Sequence, residues 1–159
     1  MSKIKELLES DKTVYFFDVD GVLAPLEYGE YNHYLLNDED WAAAIKSNNM
    51  YSNIRPFKTF QKFISKKDVK RVFVISKVKN EEEWHCKIDY CNKNYGILKN
   101  HVFGVDKNED KVNKMMEIKQ SFPELEDKYF VMVEDTVEVL NDIMNNSQFS
   151  TIHVSSFME

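Results

Sequence analysis

The sequence predicts an α/β fold: a doubly wound, mostly parallel sheet of about five strands with helices on both faces. Two observations lead there. The runs "TVYFF", "RVFVI", "YFVMV" and "FSTIHV" are short, β-branched or aromatic, and apolar on both faces, as suits strands of a covered parallel sheet. Between them apolar residues repeat at helical spacing, so that strand and helix alternate from residue 56 to the end, the pattern of right-handed crossovers.

The elements follow in order. The start, "MSKIKELLESDK", is a charged helix-like segment without the apolar stretch of a signal peptide. The first strand covers 13–17, and an insertion at about 22–55 follows it, a flap with one short helix around 38–48. This insertion is rich in aromatic and polar side chains, among them Tyr28, Tyr31, His33, Tyr34 and Trp41. It reads either as a helix packed on the domain edge or as a lid or protomer contact over a site. Pro56, tolerated in a first turn, opens a helix carrying Phe57, Phe60, Phe63 and Ile64. The second strand is 71–75, and Asn80 ahead of three glutamates marks the N-cap of a helix over 80–94. "HVFGV" (101–105) is a shorter strand candidate. Val112, Met115, Met116 and Lys119 share one face of a third helix that Pro123 ends. After the strand 129–133, Val137, Leu140, Ile143 and Met144 form the stripe of a fourth helix, and 149–154 is the last strand.

With 159 residues, 43% hydrophobic and 30% charged, the chain suits one globular domain over 1–159 that buries about two-thirds of its unfolded surface. A net charge of −6 argues against nucleic-acid or anionic-membrane binding, and no apolar run reaches the ~18 residues of a membrane span. Cys86 and Cys91 stand five apart in a helical segment; at about 100° per residue they fall on different faces, which disfavours a disulfide or a shared metal. His85 adds no zinc site, because no second ligand pair stands at a suitable spacing. Reduced thiols and a cytoplasmic location are therefore expected.

In such a sheet ligands bind beyond the carboxyl ends of the strands, so the polar residues there are the candidates. The first strand ends in Asp18-Val19-Asp20-Gly21. Two residues apart on an extended chain, the carboxylates converge, repel, and resist ionisation unless a cation sits between them. Mg2+, a hard ion that prefers oxygen ligands, resolves the repulsion; the plainer reading is a solvated turn or a helix cap. The second strand ends in Ser76, followed by Lys77; the hydroxyl either donates to a phosphoryl oxygen or merely serves a turn. In "VDKNEDKVNKMMEI", Asn108 or Asp110 can cap a helix and place Lys111 in its first turn, near the ligand end, with Lys107 and Lys114 close by. The strand "YFVMV" ends in Glu134-Asp135-Thr136, a second acidic pair in which Asp135 either caps the next helix or supplies a carboxylate to a cation.

The ordered set of DVDGV, "VFVIS", the lysine of "EDKVNKM" and "VMVEDT", spanning residues 13 to 154, resembles the haloacid dehalogenase (HAD) superfamily of phosphohydrolases, which share a Rossmann-like fold. The resemblance implies Asp18 as the nucleophile that forms an aspartyl-phosphate, and Asp20 as the acid and base for leaving group and water. It implies Ser76 and Lys111 as phosphate-binding residues, with Lys114 the other choice for the lysine. Mg2+ would be held by the side chains of Asp18 and Asp135 and the backbone carbonyl of Asp20, with Glu134 beside them. Dehalogenating members lack the second acid, so Asp20 points to phosphoryl transfer. Lys77 departs from the small residue or Asn more usual there.

Cap insertions set specificity in this family, and between Ser76 and Lys111 a helix, a connection and a short strand leave no room for a large one. The implied activity is a Mg2+-dependent phosphomonoester hydrolase with little or no cap. Its phosphorylated substrate is expected to be a small molecule rather than a macromolecule, and homo-oligomerisation stays open. A phosphotransferase or phosphomutase of the same superfamily is one alternative; a non-catalytic, receiver-like signalling domain is another, disfavoured because "RVFVI" ends in Ser76 where such a domain needs its phosphoacceptor aspartate.

Overall fold

The computed structural model describes residues 2–25, 37–48 and 50–158. Among these, the strands are β1 (Thr13–Phe17), β2 (Val72–Lys77), β3 (Val102–Val105), β4 (Tyr129–Glu134) and β5 (Ser150–His153). The helices are α1 (Lys3–Glu9), α2 (Asp38–Asn48), α3 (Lys58–Ile64), α4 (Glu81–Tyr95), α5 (Asp110–Ser121) and α6 (Val137–Asn146). The strands form one sheet in the order β3-β2-β1-β4-β5, with every neighbouring pair parallel. The expected fold class is therefore the observed one. No helix among the described residues is long and apolar enough to cross a membrane.

Side-chain alternation along β1 divides the core. Tyr15 and Phe17 join Phe60, Ile64, Tyr90 and Tyr95 of α3 and α4 on one face. Val14 and Phe16 join Val112, Met115, Val139 and Ile143 of α5 and α6 on the other. Because both faces are covered, β1 is buried along its whole length, which explains the unbroken apolar run.

Several local expectations need correction. Arg71 precedes β2 in a 3-10 turn capped by Asp68, and β2 instead runs on through Ser76 and Lys77. The α5 stripe is Lys111, Val112, Met115 and Ile118; Met116 is exposed, and Lys119 does not belong to it. On α6 the buried residues are Val139, Leu140 and Ile143. Val137 and Met144 are exposed because each lies about a quarter-turn from the centre of that stripe. Neither Asn108 nor Asp110 caps α5: Glu109 holds the N-cap position and makes no side-chain capping bond. Asn80 does cap α4, its side chain accepting from the Glu83 amide. Both cysteines are free. Tyr28, Tyr31, His33 and Tyr34 of the flap lie outside the described residues.

Phe16 is fully buried between Phe73 and Phe130, with ring centroids 5.3 and 5.0 Å away. Phe16→Ala should lower the free energy of urea unfolding by about 3–5 kcal/mol, the usual cost of a phenylalanine-sized core cavity.

Candidate active site

The sheet order puts β1 between β2 and β4, the point where successive connections turn to opposite sides of the sheet. Residues just past β1 are therefore flanked by the ends of both neighbours. The Asp18 amide donates to the Val133 carbonyl at 3.2 Å, extending the β1–β4 ladder by one residue. That bond sets the Asp18 side chain beside Glu134 and Asp135, and one carboxylate oxygen from each of these three residues lies within 4.8 Å of the others. Three converging carboxylates form a donor set that fits a hard, oxygen-seeking divalent cation.

Gly21 makes this convergence possible. It has φ +79° and heads a tight turn in which its amide donates to the Ala24 carbonyl at 2.9 Å. A Cβ added at Gly21 would stand 2.2 Å from Asp135 Oδ2, so only glycine lets the loop after β1 pass against Asp135. From the other side His153 Nε2 donates to the Asp135 carbonyl at 3.1 Å. Asp135 does not cap α6; Thr136 occupies that position and its hydroxyl donates to Asp135 Oδ1 at 3.2 Å.

Two buried ammonium groups balance the acids. Lys111, 1% exposed in the first turn of α5, stands 2.7 Å from Glu134 Oε2 and 3.2 Å from Asp18 Oδ2. Of the two candidate lysines, Lys111 is thus the one in the site, while Lys114 pairs with Glu117 on the surface. The second ammonium belongs to Lys87 of α4, which approaches Asp20 Oδ2 at 2.9 Å and Ser76 Oγ at 2.9 Å. Lys77 points outward. The other oxygen of Asp20, Oδ1, accepts from the Tyr51 hydroxyl at 2.6 Å.

Burial acts to raise the Asp18 pKa, but the Lys111 and Lys87 ammonium groups outweigh it and hold the carboxyl below its ordinary range. Glu134 goes the other way. Burial and the neighbouring Asp18 carboxylate push it up to about 9, with Lys111 opposing. Burial would lower Lys111 and Lys87, yet the facing carboxylates raise both, so each stays charged. Burial and then Asp20 keep the Tyr51 phenol well above its usual range and thus a donor.

The structure brings together all the residues expected at the site: Asp18, Asp20, Ser76, Lys111 and Asp135. Sequence reasoning missed Lys87 and Tyr51. A signal for Lys87 did exist, since Glu83, Lys87, Tyr90 and Cys91 fall at the spacing of one helical face and are all buried. Tyr51 gave none. It reaches Asp20 from 31 residues away in sequence, and nothing local marks it.

Two outcomes follow. In the metal-free protein Glu134 keeps a proton that the unfolded chain releases near its ordinary value, so its contribution to stability is full below that value and is lost as pH rises toward about 9. Asp18 acts oppositely: its contribution is present above the unfolded pKa and is lost only as pH falls through the lowered folded value. Urea unfolding in a chelator should therefore show stability declining from mildly acidic to alkaline pH. Glu134→Gln should flatten that decline; an unchanged slope would refute the assignment. Separately, Gly21→Ala should abolish tight divalent-cation binding in calorimetry, because its Cβ and Asp135 cannot share the space.

No family model matches the chain, and no curated protein matches it in sequence. Comparison with solved structures does give similarities. A crystal structure from Burkholderia xenovorans LB400, described as a haloacid dehalogenase-like hydrolase, aligns over 89% of this chain and 80% of its own at 13% identity, with a TM-score of 0.57. The HAD domain of the effector protein Lem4 from Legionella pneumophila aligns over 91% of this chain and 86% of its own, also at 13% identity, with a TM-score of 0.43. With its strand order and the motifs at its strand ends, the chain has the fold of the haloacid dehalogenase-like hydrolases.

Proposed function

We propose that the protein is a Mg2+-dependent phosphomonoester hydrolase that works through an aspartyl-phosphate on Asp18. The observation that carries the reading is the convergence of Asp18, Asp20, Ser76, Lys111 and Asp135 from separate parts of the chain on the carboxyl ends of β1, β2 and β4. Each supplies something that phosphoryl transfer needs and a structural cluster does not.

Asp18, kept ionised by its lysine neighbours, attacks phosphorus as the ester P–O bond breaks, and the leaving oxygen takes a proton from Asp20, which must carry one when the ester binds. Asp20 then removes a proton from water as the water oxygen attacks phosphorus, which releases inorganic phosphate and restores the Asp18 carboxylate. The Ser76 hydroxyl and the Lys111 ammonium donate to phosphoryl oxygens throughout. The side chains of Asp18 and Asp135 and the carbonyl of Asp20 would hold Mg2+, with Glu134 alongside. The ion supplies neutralisation of phosphoryl charge and relief of the carboxylate repulsion.

The insertion supports hydrolysis of a small substrate. Its described part, α2 and the 3-10 turn Met50–Asn53, packs on α4 and brings Tyr51 to Asp20 itself. Transfer to a second substrate would need a closing cap to exclude water, and the shortness of the insertion favours water as the acceptor.

The test is hydrolysis of 4-nitrophenyl phosphate. Wild type should turn it over with Mg2+ and lose activity in a chelator, and Asp18→Asn should lower kcat by roughly a thousandfold or more. An inactive wild type across a panel of phosphate esters, or an active Asp18→Asn, would refute the proposal.

A further inference from the structure

Lys87 belongs to none of the motifs that point to phosphoryl transfer, yet it is 1% exposed and sits among the residues those motifs contribute. Its ammonium contacts Asp20 Oδ2 at 2.9 Å, Ser76 Oγ at 2.9 Å and the Lys77 carbonyl at 2.7 Å. A lysine ammonium has three protons and no lone pair, so these contacts occupy every donor it has.

Two consequences follow from that count. Lys87 has no proton left for a phosphoryl oxygen, which distinguishes it from Lys111. Ser76 Oγ, facing a group that only donates, must accept, and its own proton is left to point elsewhere. A phosphate-binding hydroxyl has to be polarised in that sense. At Asp20 the grip is double: Lys87 takes Oδ2 from α4 and the Tyr51 hydroxyl takes Oδ1 from the insertion, at 2.6 Å. The carboxylate is thus oriented from both sides. The Tyr51 ring also lies 5.9 Å from the Lys87 ammonium, so the two oriented groups pack against each other.

Stability alone does not call for a lysine here. Its stripe on α4 continues through Tyr90 and Cys91 into the apolar core, and replacing both partners of a buried ion pair together by apolar side chains of similar size is often neutral or stabilising.

We infer that Lys87 is a positioning residue for phosphoryl transfer, orienting Ser76 as a donor and Asp20 as the proton carrier, with Tyr51 as its counterpart on Asp20. The inference rests on the phosphatase reading above. It predicts a dependence on leaving group: help from Asp20 matters most for an alkoxide and least for 4-nitrophenolate, which departs without a proton.

The experiment compares kcat/KM for glycerol 2-phosphate and 4-nitrophenyl phosphate in wild type, Lys87→Met and Tyr51→Phe, with circular dichroism and thermal melts to verify folding. Lys87→Met should lose about 10- to 100-fold on the alkyl ester, the range for losing the charge-assisted hydrogen bond that orients Asp20, and several-fold less on the aryl ester. Tyr51→Phe should show the same split with a smaller loss. An equal loss on both esters, or no loss, overturns the inference while leaving the phosphatase reading intact. A wild type inactive on both overturns the two together. If Lys87→Met does not fold, Tyr51→Phe decides, and the absence of a split in that variant overturns the inference.

Discussion

Four carboxyl groups, those of Asp18, Asp20, Glu134 and Asp135, crowd the carboxyl ends of two strands, β1 and β4, and the structure around them is arranged to make that crowding tolerable. Two buried lysines do most of this. Lys111 stands between Asp18 and Glu134, and Lys87 stands against Asp20. Neither side is stable without the other: a lysine buried without partners carries a large desolvation penalty, and so does a buried carboxylate facing its own kind. The balance remains incomplete at Glu134, whose pKa burial and Asp18 drive up to about 9.

This electrostatic constraint accounts for features of the fold that packing leaves free. β1 must lie between β2 and β4 for Asp18 to stand beside Glu134 while Asp20 and Ser76 share Lys87. α5 must start where Lys111 falls in its first turn, and α4 must turn inward the face that carries Glu83, Lys87, Tyr90 and Cys91. α4 then becomes the support for the described part of the insertion. Trp41 of α2 donates to buried Glu83, Tyr90 and Tyr95 both donate to the Leu23 carbonyl, and Lys79 pairs with Asp38. The chain that leaves β1, at Leu23, and the chain that returns toward β2, at Phe57 and Gln61, are both hydrogen-bonded to this helix.

Much of this was legible in advance because it depends on local chemistry. Strands covered on both faces must be apolar throughout, so five short runs marked five strands to within a residue or two. Acids and a serine stood out where such runs stopped, and their order along the chain, more than any one of them, marked a site. The errors came from rotation and capping. Met116, Val137 and Met144 are apolar and near the right spacing, but which arc of a helix meets the sheet is decided by docking. Glu109 rather than Asn108 or Asp110 takes the N-cap of α5, where turn bonds from the Asp110 amide to the Lys107 carbonyl and from the Lys111 amide to the Asn108 carbonyl lead into the helix.

The sequence by itself determined the fold class, the order of the strand-end motifs and the identity of Asp18, Asp20, Ser76 and Asp135 as candidates, since each of these rests on residue type and spacing along one segment. Only the tertiary structure decided which lysine enters the site, that Gly21 and Asp135 share one small space, and that Lys87 and Tyr51 hold Asp20 from opposite sides. These facts depend on distances between segments tens of residues apart. A lysine reads the same in sequence whether its ammonium meets water or a buried carboxylate, and packing alone makes the difference.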